Sequence, residues 1–188
     1  MTTDRTIRGP VFVAGPPGAG KSALSRTAAD QLALRWIDTD VEVERRMGLS
    51  PAGLIERHGE PALRAEELDI VSKLGADPML VSLGGGAWID PATRAEVRRR
   101  GPVVGLTADR DVLWGRIEVS REPRPLCRNR EQFDELMDTR ESIYARADAT
   151  VRTDGDAPDR ALLHAVHGLG FVVVDMGGPS TRVVVGHE

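Results

Sequence analysis

The segment Gly15–Ser22, GPPGAGKS, constrains this chain more than any other. Its pattern, G-x-x-x-x-G-K-[ST], is that of a loop that wraps phosphate oxygens, and it directly follows the apolar run Val11–Ala14. Gly15, Gly18 and Gly20 let backbone N–H groups turn toward an anion without side-chain collision, and the backbone of Ala19 belongs to the same cradle. A helix beginning at Lys21 adds the positive end of its dipole. Lys21 is then expected to reach the β- and γ-phosphates of ATP, and the Ser22 hydroxyl to ligate Mg²⁺. Such a loop works only between a buried strand and a helix, so it commits the chain to an α/β fold.

The remaining pattern agrees. Strands are predicted at 11–14, 35–38, 79–83, 102–106 and 149–153, and helices at 21–34, 41–47, from about 51, 61–74, 91–100, 109–117, 131–147 and 157–168. Ser50 before Pro51 reads as an N-cap with proline at the first helical position. Strands alternating with helices imply right-handed crossovers and a parallel five-stranded sheet covered on both faces. Ligands of such a sheet bind beyond the carboxyl ends of its strands, where the phosphate loop, Asp38-Thr39-Asp40 and Gly84-Gly85-Gly86 all fall.

Composition narrows the setting. At 188 residues, with 40% apolar and 29% charged, the chain suits one globular domain over 1–168, followed by an extension over 169–188. A net charge of −4 gives no reason to expect nucleic acid or an anionic membrane as partner. Cys127 is the single cysteine, so a disulfide framework is excluded. The opening MTTDRTIRGP lacks the apolar core of a signal peptide, and no run approaches the ~20 apolar residues of a membrane span. A cytoplasmic protein is the expectation.

Four clusters bear on a second substrate. Strand alternation over Asp38-Thr39-Asp40 sends both carboxylates to one side, where one organises Mg²⁺ and the other accepts from a hydroxyl; a capped helix start satisfies the same residues. In GEPALRAEE, Arg64 has Glu60 four residues before it and Glu67 three after, so both carboxylates can flank a guanidinium suited to gripping a substrate carboxylate. A solvated charged helix face is the other reading of that run. Three glycines after a buried strand point to a close backbone approach by a ligand, or to a plain turn. REPRPLCRNR, residues 121–130, carries four arginines and two prolines and reads as a lid closing over the phosphates, with Arg124 as the transition-state charge stabiliser, or as a solubilising surface loop. Arg140 and Tyr144 lie four apart on the helix after it, with a structural role open for either.

Taken in order, these motifs resemble those of the shikimate kinases across residues 10–165. That family carries the phosphate loop, D-x-D, G-E-x-x-F-R-x-x-E, G-G-G, an R-P-L-L lid and R-x-x-x-Y-x-x-x-A. The counterparts here are Gly15–Ser22, Asp38/Asp40, Gly59–Glu67, Gly84–Gly86, Arg124–Cys127, and Arg140 with Tyr144 and Asp148. The resemblance implies a P-loop kinase fold, ATP and Mg²⁺ as cofactors, and transfer of the γ-phosphate to the 3-hydroxyl of shikimate. It assigns Asp40, Arg64, Gly85, Gly86 and Arg140 to shikimate, with Lys21, Asp40 and Arg124 catalytic. Asp38 joins Ser22 at the metal, Arg116 lies near adenine and Arg124 at the phosphates. Gluconate kinases, nucleoside-monophosphate kinases and a silent nucleotide-binding module are the rivals.

The chain departs from the family pattern at Leu63 for Phe, Cys127 for Leu and Asp148 for Ala. Beyond residue 168 the runs 171–175 and 181–185 flank a Gly/Pro turn and read as a β-hairpin. This tail resembles the opening of 3-dehydroquinate synthase, which implies a fused or neighbouring second enzyme as partner.

Overall fold

In a computed structural model the described residues are 9–120 and 125–169. The tail hairpin, all of the extension 169–188 except Leu169, and Arg124 therefore lie outside them. The chain runs β1 (Pro10–Ala14), α1 (Lys21–Gln31), β2 (Arg35–Asp38), α2 (Thr39–Met47), α3 (Pro51–His58), α4 (Glu60–Ser72), β3 (Met79–Ser82), α5 (Pro91–Arg100), β4 (Val103–Thr107), α6 (Arg110–Val119), α7 (Arg130–Tyr144), β5 (Ala149–Arg152) and α8 (Pro158–Gly168). The five strands form one parallel sheet in the order β2-β3-β1-β4-β5. β1, which feeds the phosphate loop, is the central strand and is buried along its whole length.

Apolar side chains on each face of this sheet meet a separate layer of helices. On one side Val11, Val13, Leu80, Val104 and Leu106 pack with Ala28 and Ala29 of α1, Leu113 of α6, Phe133 of α7 and Leu162 of α8. On the other, Phe12, Val81 and Val103 meet Val71 of α4, Trp88, Val97 of α5 and Tyr144. A small third core of Val43, Leu54, Leu63 and Ile70 binds α2, α3 and α4 to one another. Leu63, where the family pattern has Phe, belongs to that core.

Local signals set most helix starts. Ser50 caps α3 by accepting from Gly53 N at 3.1 Å, with Pro51 in the first turn as predicted. Asp90 caps α5 and Asn129 caps α7. Three expectations are corrected. α1 stops at Gln31, three residues short of the prediction, because Ala33 takes a positive φ of 52° and Leu34 N turns back to Ala29 O. α2 starts at Thr39, so the alternation assumed for Asp38 and Asp40 ends at Asp38. α7 ends at Tyr144, which leaves Asp148 outside the helix.

Asp148 instead pairs with the first residue of β4. Its N–H donates to Val103 O at 2.9 Å, its carboxylate Oδ2 accepts from Val103 N at 2.8 Å, and Arg98 lies 3.6 Å from Oδ1. Both backbone groups at the start of β4 are thus satisfied by one residue. Asp148→Ala strips the Val103 N–H of its acceptor and should cost about 1–2 kcal/mol in urea unfolding. A loss within a few tenths of a kcal/mol would show that water replaces the carboxylate at Val103 N.

Candidate active site

The phosphate loop is held open by its own glycines. Gly15, Gly18 and Gly20 all have positive φ, at 153°, 79° and 81°. At Gly18 a Cβ would also come within 2.5 Å of Leu113 O on α6, so the loop packs too closely there for a side chain. Ala19 is fully buried and its N–H closes a turn onto Pro16 O. Lys21 Nζ donates to the carbonyls of Gly15 and Pro16, at 3.0 and 3.1 Å, and so arches over the loop. Arg116 on α6 donates to Gly18 O at 3.3 Å and to Oγ1 and O of Thr153 at 2.9 and 2.7 Å. Its guanidinium therefore ties the loop to the segment that follows β5.

Beside the loop lies a cavity of about 390 Å³. Pro17 and Ser22 of the loop line it together with Asp38, Asp40, Arg64, Glu67, Gly85, Gly86 and Arg140. Every one of the acceptor-side residues predicted from the sequence borders it. Pro125, Leu126 and Cys127 reach it from the lid region, and Trp36, Leu63 and Leu136 supply apolar surface. Cys127, in the place of a lid Leu, is buried there.

Asp38 performs the capping role: Oδ1 accepts from Asp40 N at 2.9 Å and Val41 N at 3.4 Å, fixing the first turn of α2. That turn, rather than strand alternation, brings Asp40 to the cavity. The residue between them, Thr39, had no role in the sequence reading. Its hydroxyl accepts from Gly84 N at 2.7 Å and locks the glycine turn to the end of β2. A polar residue facing a buried strand end was the available signal. Trp36 Nε1 makes a parallel link to Ser82 Oγ at 3.0 Å.

The glycine turn is explained by the protein's own side chains. A Cβ at Gly84 would overlap Glu67 Oε1 and stand 2.5 Å from Asp40 Oδ1, and one at Gly86 would overlap the Arg64 guanidinium. Gly85 alone has ordinary room. The close approach expected of a ligand is thus made, at two of three positions, by charged residues of the site.

Arg64 is held on two edges. Its Nε and Nη2 donate to Glu60 Oε1 at 3.1 and 2.5 Å, and its Nη1 to Glu67 Oε2 at 2.6 Å. The flanking read from the sequence is present, and the solvated-face alternative is overturned, since the Arg64 side chain is only 14% exposed and Glu67 only 1%. Arg140 comes from α7 and lies 3.9 Å from Glu60 Oε1. Tyr144, one turn on, donates its hydroxyl to Gly85 O at 2.7 Å, and Trp88 Nε1 donates to Ile143 O at 2.9 Å. These two bonds fasten the end of α7, and with it Arg140, to the glycine turn. Burial pushes the Tyr144 phenol up to about 12, so it remains a donor through the neutral range.

Burial also lifts Glu67 from the usual carboxylate range to about 7; Arg64 pulls it back, and the nearby charges of Asp40 and Asp90 push it further up. A carboxyl whose folded value is raised binds its proton more tightly in the native state, so its contribution favours folding at low pH and is lost as pH rises from the ordinary value through about 7. The stability difference between wild type and Glu67→Gln should therefore shift in favour of wild type as pH falls from 7.5 to 5, on the order of 1–3 kcal/mol across that span. Urea titrations at both pH values measure it, and an unchanged difference would mean that Arg64 holds Glu67 ionised throughout.

Comparison with known proteins bears on this arrangement. The model of the family described as shikimate kinase matches residues 17–168. A shikimate kinase of Paramagnetospirillum magneticum is 35% identical over 163 residues, covering 85% of this chain and 83% of that protein. One of Rhizobium leguminosarum is 40% identical over 145 residues, covering 75% and 74%. The structure of shikimate kinase from Acinetobacter baumannii in complex with shikimate superposes with a TM-score of 0.75 at 27% identity, covering 86% of this chain and 92% of the other. A gluconokinase from Sinorhizobium meliloti superposes at 0.56 with 18% identity, which speaks for the shared fold alone. A phosphate loop, an acidic strand end, a clamped arginine and a triple-glycine turn converge on one cavity, within a match covering most of the chain: it belongs to the shikimate kinase family.

Proposed function

We propose that this protein transfers the γ-phosphate of ATP to the 3-hydroxyl of shikimate. The observation that carries this reading is the pair Arg64 and Arg140 lining the same cavity as Pro17 and Ser22 of the phosphate loop. A small carboxylate bearing hydroxyls matches that layout: guanidinium groups fix the carboxylate, and the ring then extends toward Asp40 and the loop. The relatives of known name, at 35% and 40% identity, support the same acceptor. Gluconate shares only the fold-level likeness.

Each residue has a part. The backbone of Gly15, Gly18, Ala19 and Gly20 cradles the phosphates, and Lys21 exchanges its loop carbonyls for phosphate oxygens. Arg116 stands at the base side of the nucleotide, where it already grips Gly18 O and Thr153. Asp40 accepts the hydrogen bond, and in the transition state the proton, of the attacking hydroxyl. Arg64 and Arg140 bind the carboxylate, and Gly85 and Gly86 form the floor under the ring. Arg124, outside the described residues, carries positive charge to the transferring group.

The residues present fit a magnesium ion. Ser22 and Asp38 are hard oxygen donors on the same cavity, and Mg²⁺ takes one or two such protein ligands with the rest from phosphate and water. When bound it neutralises charge on the β- and γ-oxygens. A cytoplasmic location fits this small-molecule chemistry, and no helix among the described residues is long and apolar enough to cross a membrane. The extension 169–188, with its likeness to 3-dehydroquinate synthase, lies beyond the family match, which ends at 168.

A coupled ADP-release assay with shikimate, gluconate and AMP offered separately tests the acceptor. Turnover above the ATP-only background is expected with shikimate alone, and its absence there would sink the assignment. Arg64→Ala should raise the KM for shikimate by about 100-fold or more while moving that for ATP less than about twofold, as loss of a bidentate charged contact implies. Equal loss toward both substrates would make Arg64 a structural residue.

A further inference from the structure

The carboxylate seat between Arg64 and Arg140 already has an occupant. Glu60 Oε1 accepts from both Nε and Nη2 of Arg64 and lies 3.9 Å from Nη2 of Arg140, so one protein oxygen bridges the two guanidinium groups assigned to the substrate. Glu67 takes the remaining side of Arg64 through Nη1. With both glutamates in place, and Asp40 lining the same cavity, both edges of the Arg64 guanidinium are taken by carboxyl groups of the chain itself. An incoming anion gains little from a site so balanced.

The two glutamates differ in freedom. Glu67 is 1% exposed, enclosed by α4 and the glycine turn, and its Oε1 sits where a Gly84 side chain would be. It has nowhere to go. Glu60 is 40% exposed and is the first residue of α4, directly after Gly59, whose φ is 81°. A side-chain rotation carries its carboxylate into water, where hydration offsets the lost ion pair. Displacing Glu60 leaves Arg64 with its Nε–Nη2 edge bare beside Arg140, an edge whose two parallel N–H donors match a carboxylate.

We propose that Glu60 is an internal stand-in for the substrate carboxylate, bridging Arg64 and Arg140 until shikimate displaces it. The proposal rests on the reading of those arginines as the carboxylate seat. Glu60 thereby lowers the apparent affinity for shikimate by the fraction of molecules in which the seat is filled, and keeps the Nε–Nη2 edge of Arg64 paired while the cavity is empty. It also sets a selectivity: a ligand without a carboxylate cannot evict it.

Calorimetric titration of shikimate into wild type, Glu60→Gln and Glu60→Ala tests this, with the inhibition constant of shikimate methyl ester measured on each protein. Affinity for the non-hydrolysable ATP analogue AMP-PNP reports that each variant retains its fold. Wild type should bind shikimate, and both variants should bind it about threefold to tenfold more tightly, with the ester constant unchanged. Equal or weaker binding of shikimate in the variants would overturn the proposal and make Glu60 a brace that orients Arg64. An equal gain for shikimate and the ester would overturn it too, since the gain would not come from the carboxylate seat. No binding of shikimate by wild type would instead overturn the underlying substrate reading, a result separable from the other two.

Discussion

The ion pairs of Arg64 organise the acceptor half of this molecule. Its guanidinium lies against Gly86, where no side chain larger than hydrogen fits, and is held on two edges by Glu60 and Glu67. A buried arginine lacking such partners would carry a heavy desolvation cost. One with partners on both sides is fixed in orientation. Glu67 in turn requires the bare Cα of Gly84, and Asp40 leans on the same atom. The arginine thus dictates the glycines, and the glycines let α4 and α2 close around one cavity.

The nucleotide half is built differently. Its rigidity comes from backbone: β1 is buried in the middle of the sheet, and the loop that leaves it is shaped by positive-φ glycines and braced by Arg116. Side-chain hydrogen bonds then hold the acceptor half together. Thr39 to Gly84 ties the end of β2 to the turn after β3, and Tyr144 and Trp88 tie that turn to α7. These few bonds fix the ends of β2, β3 and α7 relative to one another around the cavity.

Much of this was legible in the sequence because the relevant signals are local. The phosphate loop, the strand Arg35–Asp38, the helix Pro91–Arg100 and the i,i+3 and i,i+4 carboxylates around Arg64 all follow from short-range pattern. What escaped depends on tertiary placement. Asp40 reaches the cavity by the first turn of a helix, although alternation along a strand predicted the same side for another reason. The triple glycine looked like a platform for a ligand, whereas two of its members make room for protein carboxylates and a guanidinium. Asp148 looked like a departure within a helix, but the helix ends earlier and the residue pairs with the first residue of β4. No spacing rule reveals such long-range partners.

The proposed seat of the acceptor carboxylate is the pair Arg64 and Arg140, on the cavity that the phosphate loop also lines. A crystal structure of the protein with shikimate, ADP and Mg²⁺ addresses it most directly. The shikimate carboxylate is expected between the two guanidinium groups, a ring hydroxyl within hydrogen-bond distance of Asp40, and the Glu60 side chain turned out to solvent. Shikimate bound with its carboxylate away from Arg64, or with Glu60 still bridging the two arginines, would contradict it.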